Sequence, residues 1–259
     1  MASGEDTRVR EQFTAQVERF VRSPHVNAAE PVERLVALAA PAPHERALDV
    51  GCGPGLLARA FAPRVATFTG VDLTPAMVAK ARDIARAEQL PGAAFAVGHA
   101  ARLPVRSASV DLVLTRLALH HMSDPAAALA EMARVLHPGG RAACFDIAAS
   151  EDPEAAAYQE RVERLRDPSH ARCLAPSGLL ALLGRAGLEA ERLEMLTHPI
   201  DAEDWLARAD QAPPAADEVR ALLAAAVGTR RFGGKAVTRD AAGRLAFAQR
   251  WMIVVARRG

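Results

Sequence analysis

The stretch Ala47-Leu48-Asp49-Val50-Gly51-Cys52-Gly53-Pro54-Gly55 decides how this chain folds. Ala47–Val50 is a short apolar strand that runs without a polar loop into a glycine-rich bend, and Leu56–Phe61 continues as a helix. A strand turning through glycines into a helix opens a βα unit. Glycine there tolerates positive φ and lets the backbone lie close against a neighbour.

The rhythm repeats downstream. Ala66–Val71 predicts a second strand ended by Asp72, and Thr74-Pro75 an N-cap with proline in the first turn of a helix to about Gln89. Ala93–Val97 and Val110–Thr115 read as strands three and four. A helix is expected over Pro125–Leu136, capped by Ser123 or Asp124, stopped by His137-Pro138-Gly139-Gly140 and followed by strand five at Arg141–Ile147. Strands alternating with helices imply a parallel sheet covered on both faces.

On either side the pattern changes. Helices are expected over Glu5–Phe20, interrupted at Ser23-Pro24, and over Glu30–Ala40. After Ser150, helices are expected over Pro153–Arg166 and Ser177–Ala186, a strand over Leu188–Leu196, helix between Asp201 and about Val227, and a last strand within Arg244–Ala256. The predicted organisation is an N-terminal helical cap (1–44), a ligand-binding core (45–150), an insertion shaping the pocket (151–178) and a C-terminal part completing the sheet with extra helices (179–259).

Composition narrows the function. The 259 residues carry 32 Lys and Arg against 31 Asp and Glu, net +1, so nothing electrostatic calls for nucleic acid or an anionic membrane. Half the residues are hydrophobic, in keeping with a packed core. Cys52, Cys144 and Cys173 are widely separated and form no C-x-x-C pair, so neither a disulfide framework nor a metal site is expected. MASGEDTRVR does not read as a signal peptide, no apolar run is long enough for a membrane span, and a cytoplasmic location is expected.

The glycine bend lies at the carboxyl edge of the sheet, where α/β folds bind ligands. Asp72, at the tip of the next strand, is placed to accept hydrogen bonds from both hydroxyls of a ribose, which points to an adenosine derivative. A dinucleotide fingerprint G-x-G-x-x-G needs glycine where this chain has Leu56, and Pro54 removes a backbone donor. The bend therefore suits the amino-acid end of a methionine moiety better than a pyrophosphate, with backbone N–H groups expected to grip it.

Ala47–Gly55 resembles the first motif of the class I S-adenosylmethionine-dependent methyltransferases, and Val71-Asp72-Leu73-Thr74-Pro75-Ala76-Met77 resembles their second. Gly98-His99-Ala100-Ala101-Arg102-Leu103-Pro104 resembles the adenine-contacting loop, and Arg134-Val135-Leu136-His137-Pro138-Gly139-Gly140 the turn before the fifth strand. The resemblance covers roughly residues 11–187 and is nearest to the ubiquinone/menaquinone-type (type 11) small-molecule enzymes. It implies a Rossmann-like, seven-stranded, mostly parallel sheet with helices on both faces and a helical cap.

It also implies site roles. Gly51, Cys52, Gly53 and Gly55 would line the methionine moiety, with Asp49 supporting the bend and Asp72 holding the ribose. Leu73 and Met77 would pack on the adenine, Ala100 would present its N–H to the ring, and Thr115 and Arg116 would supply backbone contacts near the sulfonium. The family usually has Asp where this chain has His99; a neutral imidazole is expected to accept from the adenine amino group instead. His120, His121 and His170 are candidates for a catalytic base, with Arg116 and His120 one turn apart if a helix starts near Arg116. Phe20, Arg166 and His170 are candidates for contact with the acceptor, and structural packing is the competing role for each.

The reaction implied is methyl transfer from S-adenosyl-L-methionine, yielding S-adenosyl-L-homocysteine, to a small hydrophobic or aromatic metabolite. Carbon, oxygen and nitrogen acceptors stay open, as do monomer and homodimer. Two other readings are weighed. One is a protein that keeps the cofactor pocket but binds or cyclises a small molecule. The other is a nicotinamide oxidoreductase, disfavoured by Leu56 and by the lack of a Tyr-x-x-x-Lys pair, the one tyrosine being Tyr158.

Overall fold

The computed structural model describes residues 4–22, 29–90, 92–209 and 212–259. The expected break at Ser23-Pro24 lies outside the described residues. In chain order the elements are α1 (Gly4–Arg22), α2 (Ala29–Ala39), β1 (Arg46–Val50), α3 (Ala58–Phe61), β2 (Thr67–Asp72), α4 (Pro75–Ala87), β3 (Ala93–Val97), β4 (Val110–Arg116), α5 (Pro125–Val135), β5 (Leu136–Ile147), α6 (Pro153–Arg166), α7 (Pro176–Arg185), β6 (Leu188–Asp201), α8 (Ala202–Leu206), α9 (Pro213–Ala226), β7 (Val237–Arg239) and β8 (Leu245–Arg258). Short 3₁₀ turns lie at Ala62–Arg64 and Leu119–His121.

The sheet runs β3-β2-β1-β4-β5-β8-β6, with β7 pairing β8 off this path. β1 to β5 are mutually parallel, and β8 enters antiparallel between β5 and β6. The sheet thus has the seven strands the resemblance implies, in a Rossmann-like α/β arrangement, plus an eighth. That extra strand spans only Val237–Arg239, too short for an alternating pattern to announce it.

Packing follows the pleat. Leu48 and Val50 of β1 face a core with Leu129, Met132 and Val254, while Ala47 faces Phe61, Phe68 and Phe145 on the other side. A third core joins α6, α8 and α9 to the ends of β6 and β8 through Val162, Trp205, Leu223, Phe232 and Phe247. Within it Lys235 is fully buried, 3.5 Å from Glu163 and with its ammonium 4.1 Å from the Phe232 ring centroid.

Three local departures from the sequence expectations have visible causes. The β5 ladder begins at Leu136 opposite Val110, loops out residues 137–140 around Gly139 (φ 79°), and resumes with Arg141 opposite Leu112. β6 runs on to Asp201 because β8 pairs along its whole length. No α-helix starts near Arg116: Leu117 takes φ 50° and the chain makes a 3₁₀ turn, so Arg116 and His120 do not share a helix face.

Candidate active site

β1 ends where its backbone must turn sharply and pass beside the segment after β4. Gly51 has φ 72°, and a Cβ added there would lie 2.6 Å from that of Ala118. Gly53, at φ 51°, would point a Cβ into open space beside the cavity above the sheet. Only glycine supplies both the sign of φ and the close approach.

The backbone donors of this bend are already used. Gly51 and Cys52 both donate to the Val71 carbonyl, at 2.8 and 3.1 Å, Gly53 donates to Asp72 Oδ2 at 2.8 Å, and Gly55 to the Cys52 carbonyl at 3.0 Å. The expectation that these N–H groups grip a ligand's carboxylate therefore needs correction. Their role is to hold the bend shut against β2, leaving a smooth glycine surface as the cavity wall. Gly55 does not line the cavity; a Cβ there would lie 3.0 Å from both Ala81 and Phe95, so it serves the packing of α4 and β3. Thr115, also a candidate, is buried below the floor with its hydroxyl unpartnered and does not reach the cavity.

The cavity, about 1070 Å³ including its mouth, is bordered by the remaining cofactor candidates: Asp49, Gly51, Cys52, Gly53, Asp72, Leu73, Met77, His99, Ala100 and Arg116. Burial, with the nearby Asp72 charge, pushes the Asp49 carboxyl up to about 8, against the opposing pull of Arg116. Burial likewise lowers Arg116 to about 10. Asp72 is also raised by burial, although Thr74 N–H (2.8 Å) and Gly53 N–H hydrogen-bond its two oxygens and stabilise the anion. The Thr74 side chain hydrogen-bonds the same carboxylate, which borders the cavity.

His99 departs from expectation. Its Nδ1 accepts from Ala101 N–H at 3.0 Å, so Nε2 of the neutral ring carries the hydrogen, and it faces Asp6 Oδ1 of α1 at 3.2 Å. Neither ring nitrogen keeps a lone pair for an adenine amino group. Asp6 itself borders the cavity, so α1 brings in a carboxylate where the loop has lost one.

A second cavity adjoins the first. Phe13 and Phe20 of α1, with Leu117 and His121, border both. Of the acceptor candidates, Phe20 and Arg166 line this second space; His170 does not. His170 is buried behind it, with Nε2 3.2 Å from Glu160 Oε2. Glu160, His170 and Cys173 place ligand-type atoms within 4.8 Å of one another, a grouping the spacing did not suggest. Hydrogen bonds within it, including Cys173 N–H to Glu160 at 2.8 Å, account for that closeness.

His120 lines the second cavity. Its Nδ1 is hydrogen-bonded to Asp146 Oδ1, near the end of β5, and Asp146 also accepts from Ile147 N–H at 2.7 Å. The carboxylate orients the ring, so the Nδ1–H tautomer leaves Nε2 as acceptor. Burial alone would lower this imidazole, but the charge and hydrogen bond of Asp146 outweigh it and hold His120 above its ordinary value. His121 is the reverse: burial and the neighbouring His120 push it well down, and its Nδ1 donates toward the Ser169 carbonyl at 3.1 Å. The loop after α6 is fastened over both rings because Ala171 and Arg172 donate to the His120 carbonyl, at 2.9 and 3.1 Å.

Sequence reading missed Asp146, Asp6 and, on the far wall of the second cavity, Ile200, Arg208 and Gln249; it left Trp205 and Trp251, on the same wall, between core and pocket wall. These come from β6, β8 and the segment between them, beyond the motif-bearing half of the chain. Asp146 sits beside Phe145 in a strand that reads as plain core, and only the fold carries its carboxylate to His120.

The comparisons with known proteins agree with this geometry. The family described as "Methyltransferase domain" matches residues 48–144. An uncharacterized methyltransferase of Bacillus subtilis (strain 168), YcgJ, is 37% identical over 63% of this chain, and the match spans 64% of YcgJ, just under two thirds of its length. Uncharacterized protein YafE of Escherichia coli (strain K12) is 32% identical, over 61% of this chain and 77% of YafE. The crystal structure of YcgJ superposes with a TM-score of 0.83 at 29% identity, covering 88% of this chain and 98% of that one.

Proposed function

Since the chain belongs to the class I S-adenosylmethionine-dependent methyltransferases, of the type 11 group, we propose that it methylates a small hydrophobic or aromatic molecule held in the second cavity. The observation that carries this reading is the junction of the two cavities at Phe13, Phe20, Leu117 and His121, with the His120–Asp146 pair on the acceptor side.

S-adenosylmethionine, the cofactor of this family, supplies an electrophilic methyl on a sulfonium whose leaving group is already activated. The first cavity suits it: a glycine surface without side chains, two buried carboxylates for its cationic and diol groups, and Leu73 and Met77 for an apolar ring. Asp72 would take the ribose hydroxyls and Asp49 would face the charged end. Asp6, steadied by His99, would serve as the acceptor for the adenine amino group in place of the acid missing at position 99.

The protein's contribution to rate is alignment, worth several kcal/mol when reacting atoms are held in line. α1 closes the site from above through Phe13, which packs edge-on against His121 with centroids 4.8 Å apart. His120 Nε2, oriented by Asp146, would take up the proton an acidic acceptor loses, and His121, held neutral, would serve as wall. Among the described residues no helix is long and apolar enough to cross a membrane, and a small molecule is the acceptor this reading assigns to the second cavity.

The test is incubation with S-adenosylmethionine and a panel of small aromatic and alicyclic acceptors, read by mass spectrometry. A product heavier by one methyl, formed together with S-adenosylhomocysteine, is expected. A product of unchanged composition would favour cyclisation instead, and calorimetry showing no binding of either nucleoside would refute the cofactor assignment.

A further inference from the structure

Three polar side chains that line the second cavity carry buried groups the fold leaves unpartnered. Gln249 of β8 is 2% exposed, yet neither end of its amide has a partner. Gln16 of α1 is 3% exposed and its Nε2 donates to nothing. Nη2 of Arg208 is buried and equally unpartnered. Folded proteins pair more than nine in ten of their buried polar groups, so three orphans converging on one space call for an explanation.

Arg208 is the most telling of them. Its Nε donates to the Asp204 carbonyl at 3.2 Å, which spends one donor but offsets little charge. The neighbouring Arg166 is already committed: Nη1 lies 3.8 Å from both Glu163 and Asp167, Nε donates to the Trp205 carbonyl at 3.2 Å, and its guanidinium stacks 4.6 Å from the Trp205 ring centroid. Burial and the like charge of Arg166 push Arg208 down to about 10, against a weaker pull from Asp204 and Glu163, and its buried Nη2 makes no hydrogen bond to either. Arg19, Arg166 and Arg208 line the cavity against one carboxylate, Asp167.

Apart from His120 and His121, the rest of the wall is apolar. Phe13 and Phe20 close one side, Trp205 and Trp251 the other, with Ile147 and Ile200 between. A wholly hydrophobic occupant would satisfy these surfaces and leave Arg208 and both glutamines stranded. A strongly polar metabolite would satisfy the arginine and waste the aromatic walls.

We propose that the acceptor is a hydrophobic carboxylic acid, its carboxylate received by Arg208 and the Gln249 amide and its hydrocarbon body held between the phenylalanines and tryptophans. This rests on the reading of the second cavity as the acceptor site. The carboxylate accepts charge-assisted hydrogen bonds from Arg208 Nη2 and the glutamine amide, and the body excludes water from them. Recognition thus lies on the C-terminal wall, away from the cofactor.

Calorimetry on the full chain saturated with S-adenosylhomocysteine tests this, titrating cinnamate, 2-naphthoate and 4-phenylbutyrate against their primary amides. The two tryptophans of the chain both line the cavity, so quenching of cinnamate-free fluorescence by 4-phenylbutyrate gives a second reading. At least one acid should bind roughly tenfold or more tighter than its amide. Arg208→Gln should abolish that preference while S-adenosylhomocysteine binds as before. Gln249→Leu, which removes an orphaned amide and so spares the fold, should weaken the acid and leave its amide little changed. Failure of every acid to bind, equal binding of acid and amide, or a preference surviving both substitutions would overturn the proposal. Loss of S-adenosylhomocysteine binding by the unaltered protein would instead overturn the methyltransferase reading beneath it.

Discussion

His99 and Asp6 face each other across the mouth of the first cavity, Nε2 to Oδ1 at 3.2 Å, although Asp6 belongs to α1, well before the motif-bearing core that carries His99. Since Ala101 N–H fixes the other ring nitrogen, the imidazole acts as a strut for the carboxylate. Asp6→Asn should weaken S-adenosylhomocysteine binding by about 1.5–3 kcal/mol, the range for a hydrogen bond to a charged group. Restoring the common family residue with His99→Asp should also weaken it, because two carboxylates would then oppose each other. Calorimetry decides both; tighter binding by His99→Asp would show that the loop acid works without α1.

Asp49 predicts a proton linkage. Its carboxyl, raised to about 8 by burial, is mostly protonated at pH 7 in the free protein. A cationic ligand beside it favours the anion, so S-adenosylmethionine binding should release a proton and tighten as pH rises toward 8. Titration at pH 7 in buffers of different ionisation enthalpy measures the release, and Asp49→Asn should abolish it. Proton uptake on binding would contradict the assignment.

Much of this was legible in the chain itself. β1 to β5 follow from apolar runs bounded by glycine, proline and aspartate, since parallel strands are buried on both faces and must be continuously apolar. The glycine and aspartate wall of the first cavity was legible because glycine and aspartate at strand tips have few other uses. The backbone hydrogen bonds that occupy the Gly51–Gly55 donors were not, because sequence shows a donor but not its partner. Nor were Asp6, Asp146 and Arg208, each brought to a site by tertiary packing from a segment with no motif of its own.

The Glu163–Lys235 pair is fully buried, so removing one partner should cost far more than removing both. Lys235→Met leaves the Glu163 charge unpaired beside α9 and should cost about 3–5 kcal/mol in denaturant unfolding. Replacing both, with Glu163→Gln added, should recover most of that loss. A single substitution costing under about 1 kcal/mol would show that Arg166, at 3.8 Å, suffices for Glu163.

His120 and Asp146 yield the pH prediction. The folded imidazole titrates above 6.5 because Asp146 outweighs burial, helped by the charges of Glu163 and Asp167, while His121 beside it stays neutral. A base must be unprotonated, so kcat/KM should rise with pH through this elevated value. The same shift stabilises the fold below pH 6.5, and that contribution is lost as pH climbs through the folded value. His120→Ala should lower kcat about 10²–10⁴-fold with cofactor affinity retained. Asp146→Asn removes the negative partner, so the imidazole should titrate lower and the ascending limb of the profile should move to lower pH even as the plateau falls. Following the His120 ring proton by NMR in both proteins gives the two titrations directly, without any acceptor. If the Asn variant titrates where the native ring does, Asp146 only packs, and the pair is no base.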